Sequence, residues 1–483
     1  MLRRATRPTA PRPHASGLHA SGLHASLCIL AITIIAALPA RTAFAAFDPP
    51  VGQQIVPDDR TAGDQFGIST AVDSSPTGGF LVVGAFRNDD VAPDAGKAYV
   101  FERGVGAWSQ MDELFAPDGE GADRFGFAVA IDGDTLAIGA PDARKDAGNP
   151  TAGAVYVFTY PGTGSEWIFQ QKLTATDGVN GDAFGRAVAI DGDTIAVGAV
   201  EKDSGLGAAY AFVRDGLGVW SQQAKLVDPG GEVGDFFGIS VAIDGDTIAV
   251  GAYRDTVTTG VGDLEKGSVS LFTRSAGVWS FDEKVFSFGG TAFIEFGTSV
   301  ALDANELAVG APNDTPPFLP GQTIRVTGTV YRYDITADPI SSSQIRIYPS
   351  DKGDVLGPRD FGFSLGLEGD LLAIGAFGDG SGTGSLDAGS VYLFDLDDNL
   401  LTESDKITPP DPNPFDVFGF SVGVSGDDIA IGADREDIDE VMDDNAGAAY
   451  VYTVPEPAAL AASLAALATV FVLKALRSGR RVA

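Results

Sequence analysis

Residues Phe125 to Phe158 read FGFAVAIDGDTLAIGAPDARKDAGNPTAGAVYVF. From Phe125 to Ile131 bulky and small residues alternate, the period of a strand, with Phe125, Phe127, Val129 and Ile131 on one face. Asp132-Gly133 follows, a dipeptide suited to a tight two-residue hairpin. Leu136-Ala137-Ile138-Gly139 alternates again, Val155-Tyr156-Val157-Phe158 makes a third strand, and a fourth begins at Trp167 and ends near Leu173. The unit is a four-stranded antiparallel meander with one bulky and one small apolar face.

The unit recurs seven times. Phe-Gly pairs begin at Phe66, Phe125, Phe184, Phe237, Phe296, Phe361 and Phe418, at intervals of 53 to 65 residues. Gly-Ala pairs begin at Gly84, Gly139, Gly198, Gly251, Gly310, Gly375 and Gly432. A third landmark close to Gly-x-x-Tyr-x-Phe begins at Gly96, Gly153, Gly207, Gly267, Gly328, Gly389 and Gly447, with Ser270 replacing the Tyr in the fourth copy. A period of this length means a repeat architecture. No such sheet stands alone in water, and a ring lets each bulky face cover a neighbour's small one, every buried Phe contributing roughly 1.5–3 kcal/mol. The fold class expected is all-β, a seven-bladed β-propeller of four-stranded antiparallel blades. The last copy stops after its third strand, Ala448 to Tyr452, while Val51 to Val56 aligns with the fourth strand of other copies. The N-terminal strand therefore closes the ring.

From Val51 to Tyr452 the chain resembles the FG-GAP repeat family, which includes the integrin α-chain propeller and many exported bacterial proteins. Integrin-type repeats often carry a calcium loop, Asp-x-Asp-x-Asp-Gly-x-x-Asp, between their first two strands. Here that place holds short turns at Asp132-Gly133, Asp191-Gly192, Asp244-Gly245, Glu368-Gly369 and Gly426-Asp427. The calcium function therefore does not carry over.

Three segments follow: 1–46, 47–453 and 454–483. The first has five arginines, no acid, an apolar run from Leu27 to Leu38, and small residues Ala43, Ala45 and Ala46 at a cleavage region. It reads as a secretory signal. All three histidines (His14, His19, His24) and the one cysteine, Cys28, lie inside it. Its removal would exclude Ser-His-Asp and Cys-His catalysis, His or Cys metal sites and disulfides from the mature chain.

At the far end Pro455-Glu456-Pro457 leads into an Ala/Leu/Val-rich stretch, then Lys474, Arg477, Arg480 and Arg481. That order predicts a C-terminal transmembrane helix with its basic cluster in the cytoplasm. It also resembles the PEP-CTERM sorting signal. The resemblance implies an inner-membrane anchor, then cutting by an exosortase and release to the cell surface or extracellular matrix.

The whole chain has 32 basic and 66 acidic residues. Without five basic residues at the front, and four basic and one acidic at the back, 23 and 65 remain, near −42. Such a surface repels nucleic acid and anionic membranes. The acids gather in the long connections after strands two and four, such as Asp142 to Asp146, Asp177 to Asp182, Asp228 to Asp235 and Asp434 to Asp444. Loops on a rigid scaffold are where binding usually lives, so this face is the candidate surface.

No catalytic, cofactor or metal residue is singled out. Clustered Asp and Asn oxygens leave weak calcium binding open, beside the plainer role of turn formation. Trp108, Trp167, Trp220 and Trp279 share the fourth-strand position, which fits a structural cover for the outer blade edge better than sugar platforms. The expectation is a non-catalytic adhesion or scaffold protein binding an extracellular protein or polysaccharide. A carboxylate-dependent polysaccharide hydrolase and a purely structural matrix protein are the alternatives.

Overall fold

The landmark glycines sit where one blade's backbone lies against the next. A Cβ on Gly139 would lie 2.0 Å from the carbonyl oxygen of Gly185, and one on Gly153 would lie 2.1 Å from that of Phe184. The Phe184 N–H donates to the Ala152 carbonyl at 3.0 Å. So the Gly-Ala and third landmarks of one copy receive the Phe-Gly pair of the following copy. Gly185 itself has φ of +92°, a conformation open to glycine, which turns the chain out of the joint and into strand one.

A computed structural model describes residues 52–454 except 75–78, 146–150, 163, 260–261, 289–291, 316–326, 352–358, 381–385, 398–400 and 438–444. It contains seven four-stranded antiparallel sheets. Blade 2, for example, is Ala128–Asp132, Thr135–Ala140, Ala154–Thr159 and Ile168–Leu173. Gln53–Ile55 pairs with Ala448–Thr453 as the fourth strand of blade 7, Gln54 opposite Tyr450. Blade 1 then meets blade 7 through the same joint as every other pair: Phe66 N–H donates to Ala446 O at 3.0 Å. A Cβ on Gly432 would lie 1.9 Å from Gly67 O. The propeller and its closure by the N-terminal strand are as expected.

Two local expectations need correction. The first strand of blade 2 begins at Ala128, not Phe125. The positive φ of Gly126, +87°, breaks the alternation there. Phe125 instead turns its ring onto its own third strand, edge to face with Tyr156 at 5.5 Å and Phe158 at 6.2 Å. Nor does the hairpin loop comprise Asp132-Gly133: Asp132 pairs with Thr135, so the loop is Gly133-Asp134. Of those two only Gly133 has positive φ, +55°, the pattern of a glycine-first turn.

That shift frees Asp132 for the neighbouring blade. The Gly192 N–H donates to Asp132, Gly133 to Asp73, Gly245 to Asp191, Gly369 to Asp303 and Gly426 to Glu368. Ala304 N–H likewise donates to Asp244. Ser425 Oγ accepts from Ser74 N–H across the closure at 3.1 Å. Each strand-one terminus thus holds the next turn, right around the ring.

The core lies between blades. Phe80, Val82, Val100 and Leu114 of blade 1 face Phe125, Leu136, Ile138, Tyr156 and Trp167 of blade 2. The other face of blade 2, with Ala137, Val155, Val157 and Leu173, meets Phe184, Ile195, Tyr210 and Trp220 of blade 3. Each aromatic-bearing face therefore covers the smaller face of the preceding blade. Among the described residues no helix is long and apolar enough to cross a membrane. The C-terminal stretch expected to do so lies outside them, as do Pro455, Glu456, Pro457, Ala43, Ala45 and Ala46.

A methyl group at the joint should be far more damaging than one elsewhere. Gly139→Ala is expected to lower stability by about 3 kcal/mol or more, the upper range for overpacking. Gly216→Ala, whose Cβ would meet nothing within 4 Å, should be near neutral. Chemical denaturation of both variants checks this.

Candidate functional site

Many acids of the long-loop face prove to be structural. Five copies place an Asp two residues before the Phe-Gly pair: Asp64, Asp123, Asp182, Asp235 and Asp416, all buried. Each accepts the backbone N–H three residues earlier, at 2.5–3.0 Å, which locks the loop into the joint. The following residue has positive φ in all seven copies, from Gln65 at +53° to Asp360 at +61°. Burial pushes Asp123 and Asp235 up to about 6 and Asp416 up to about 7. The Asp-x-Phe-Gly spacing was in the sequence, but turn formation and solvation were all it suggested.

A second set of acids is held by the third-landmark tyrosines. Asp118 accepts from the Tyr156 hydroxyl and from Lys172 Nζ, each at 2.7 Å. Tyr210 and Lys225 hold Asp177 in the same way at 2.8 and 2.7 Å. Tyr392 and Lys406 hold Asp351 at 3.0 and 2.6 Å. Burial alone would raise these groups. The lysine and tyrosine bonds, with the lysine charge, instead hold Asp118 and Asp177 below the ordinary carboxylate value. These acids are tied to the fold, a correction to the view of the face as a free acidic surface.

One cluster has the shape of a cation site. Carboxylate oxygens of Asp228, Asp235 and Asp255 lie within 4.8 Å of one another. Lys284 Nζ sits 2.5 Å from Asp228 and 2.8 Å from Asp255. The chain's own ammonium therefore fills the position a hard cation would take.

The four tryptophans are buried within one residue of the start of their outer strands. Trp220 donates its indole N–H to Gln170 at 2.9 Å, and Trp279 to Gln223 at 2.7 Å, in each case a side chain of the preceding blade. Gln53 grips the Trp108 backbone in both directions, at 2.8 and 2.7 Å, across the ring closure. They cover and link the blade edges, as expected.

What remains is the mouth of the central channel on the long-loop face. The first strands of successive blades pack side by side round the ring, and the residues following the Phe-Gly pairs stand at their entry: Ile68, Phe127, Arg186, Ile239, Thr298, Phe363 and Phe420. Neighbours touch: Phe363 and Phe420 lie 5.0 Å apart, and the Arg186 guanidinium lies 4.3 Å from the Phe127 ring centroid. Phe377 completes a triad with Phe363 and Phe420, and Phe86 packs on Phe127 at 5.4 Å. This collar is apolar except for Thr298 and Arg186. Beside it Tyr253, Arg254, Glu265, Phe293 and Glu295 line a cavity of about 350 Å³. Arg254 lies over both Phe236 and Tyr253. The cavity adjoins a hairpin, Thr256–Thr259 with Gly262–Glu265, inserted between strands two and three of blade 4. A larger cavity of about 800 Å³ opens at the rim beside the three-residue strand Ile345–Ile347, lined in part by Arg332, Arg346, Tyr348 and Glu403.

A model of the FG-GAP repeat family matches residues 52–101, 108–158, 167–212, 220–272, 346–394 and 401–452, more than half of the chain. Each match runs from the outer strand of one blade through three strands of the next. Strands one to three of blade 5 fall outside the matches, yet that blade has the same four-stranded topology. No curated protein matches. Among solved structures, that of Sqt1 from Saccharomyces cerevisiae is similar with a TM-score of 0.43 at 10% identity, covering 84% of this chain and 99% of that one.

The two kinds of acid predict opposite pH effects. Asp123, Asp235 and Asp416 keep protons in the folded chain that the unfolded chain, with acids near 3.8, has given up. Their contribution is therefore lost as pH rises from about 4 to 7. The lysine-held Asp118 and Asp177 lose theirs as pH falls below about 4. Melting temperature should peak near about pH 4 and decline through about pH 7. Asp416→Asn, which keeps the acceptor for Asn413, should flatten that decline. In a separate test, Lys284→Met should melt lower than the parent chain, since it leaves neighbouring buried carboxylates without their cation. Millimolar Ca²⁺ should raise the melting temperature of that variant more than that of the parent.

Proposed function

The chain belongs to the FG-GAP repeat family, and from that premise we propose an exported, non-catalytic propeller that binds or scaffolds protein or polysaccharide at the cell surface or in the extracellular matrix. The observation that carries the binding role is the channel mouth. There the seven copies differ, aromatic rings stand half-buried, and a cavity opens beside them. Elsewhere the repeated side chains are used up in holding blades together. Binding is favoured over hydrolysis because the loop acids, buried or exposed, already hold a backbone N–H, a tyrosine hydroxyl or a lysine. A general acid and base free to serve a substrate do not stand out among them.

Export and processing are supported by the two ends of the chain. The N-terminal segment has the basic, apolar and small-residue parts of a signal. Pro455-Glu456-Pro457, the apolar stretch and the arginine cluster have the order of a PEP-CTERM signal. An exosortase is the processing partner this implies, with the inner membrane as the intermediate station. In a host that carries an exosortase, the parent chain should reach the surface or medium with a shortened C-terminus. Glu456→Ala should stay in the membrane fraction at full length. Equal release of both chains, followed by fractionation and mass spectrometry, would remove the sorting assignment.

A further inference from the structure

Arg186 is the one charged residue in the collar at the channel mouth, and its partners are missing. It follows Phe184-Gly185, where the other copies carry Ile68, Phe127, Ile239, Thr298, Phe363 and Phe420. One face of its guanidinium is stacked on Phe127 at 4.3 Å. Its backbone N–H donates to the Ala183 carbonyl at 3.2 Å, but its guanidinium makes no hydrogen bond and no ion pair with any described residue. In a chain with 66 acids and 32 bases that is unusual. Arg214, Arg274 and Arg332 each meet a carboxylate at 2.6 Å. Arg124, whose charge bears on Arg186, is itself paired with Asp142 at 3.1 Å. Arg186 is half-buried; the charges of Arg124, Asp142 and Glu201 bear on it, but none of these groups bonds its guanidinium, so burial is not offset by a direct partner.

The donors on the guanidinium edge are what the arrangement leaves to use. A stacked arginine presents a planar fork that fits a carboxylate with two parallel hydrogen bonds. We propose that Arg186 is the centre of a ligand site at the channel mouth, receiving the carboxylate of a uronic acid residue in an acidic polysaccharide. The inference rests on the binding role proposed above and names the ligand class for it. Three features favour a uronate. Its carboxylate sits on a bulky, otherwise uncharged ring, so one charge meets Arg186 while the ring lies against the phenylalanines of the collar. Its charge is sparse, and the strong negative charge of the chain disfavours dense polyanions such as nucleic acid. The cavity of about 350 Å³ at Tyr253 and Arg254 suits a second sugar unit, being at the small end of ligand pockets. Tyr253 is within electrostatic reach of Arg186, which places the two features on one side of the mouth.

The test is calorimetry of the mature chain with oligomers of glucuronate, with oligomers of glucose and a poly-glutamate peptide as comparisons. Oligoglucuronate should bind, and the neutral oligomer should not. Arg186→Gln should weaken binding by roughly tenfold to a hundredfold, the scale of hydrogen bonds to a charged group. Arg186→Lys should recover part of it. Because Arg186 holds nothing else in place, Arg186→Gln should melt no lower than the parent chain, which separates a ligand contact from a structural one. A lower melting temperature with unchanged affinity would overturn the proposal. So would absent oligoglucuronate binding. Poly-glutamate bound as tightly would replace the sugar by a protein partner. Oligoglucuronate bound equally by parent and Arg186→Gln would sink this site and leave the binding role standing.

Discussion

The contact on which the propeller depends is backbone against backbone. At each junction a Phe-Gly pair enters between two glycines of the preceding blade, and its carbonyls come within 2.0–2.1 Å of where Cβ atoms would stand at Gly139 and Gly153. No side chain, not even a methyl, fits there. The geometry brings strand one of each blade close to the second and third strands of the blade before it. That in turn sets how far the apolar faces interdigitate. Tyr156 and Phe158 reach the ring of Phe125 only because Gly126 turns the chain at that point. The repeated landmarks are thus one joint read from three places in the sequence.

Charge is managed by the same repetition. A chain this acidic is expected to strain against itself, and residues 52–454 contain no cysteine, so packing and polar bonds hold them together. The acids are accordingly put to work in three circles. Strand-one acids such as Asp132 and Asp191 accept N–H groups from the next turn. Buried acids such as Asp123 and Asp416 fasten the loop before each Phe-Gly pair. Loop acids such as Asp118 and Asp177 bind a lysine and a tyrosine. At Asp228, Asp235 and Asp255 the lysine comes nearest to standing in for an ion. There Lys284 supplies from within the chain the positive charge that the three carboxylates require.

Blade number, ring closure and the tryptophan role could be read in the sequence because they depend on which residue types recur, and recurrence is visible without coordinates. The start of strand one could not. Alternation from Phe125 to Ile131 is real as a pattern, but Gly126 at positive φ breaks it, and nothing in a glycine's identity tells whether it will. The turn slipped by one residue for a related reason: Asp-Gly names the turn but not which of its residues closes the strand. The Asp-x-Phe-Gly spacing was visible in five copies and its burial was not, since an aspartate in a loop is ordinarily solvated. Arg186 was also in plain view, and only its neighbours make it noticeable.

A repeated fold separates structure from function by symmetry. Side chains that recur at equivalent positions serve the joint, the faces or the outer edge, which each copy needs equally. A specific ligand needs what the copies do not share, brought together in space. The channel mouth is where this happens, because the innermost strands converge and residues 53 to 65 apart in sequence become neighbours. There a single copy supplies Arg186, the next supplies the paired strands Thr256–Thr259 and Gly262–Glu265, and others supply Phe363, Phe377 and Phe420. Seven copies of one sheet thereby present one asymmetric surface, and its charged member is held in place by stacking, with its hydrogen-bond donors left for something outside the chain.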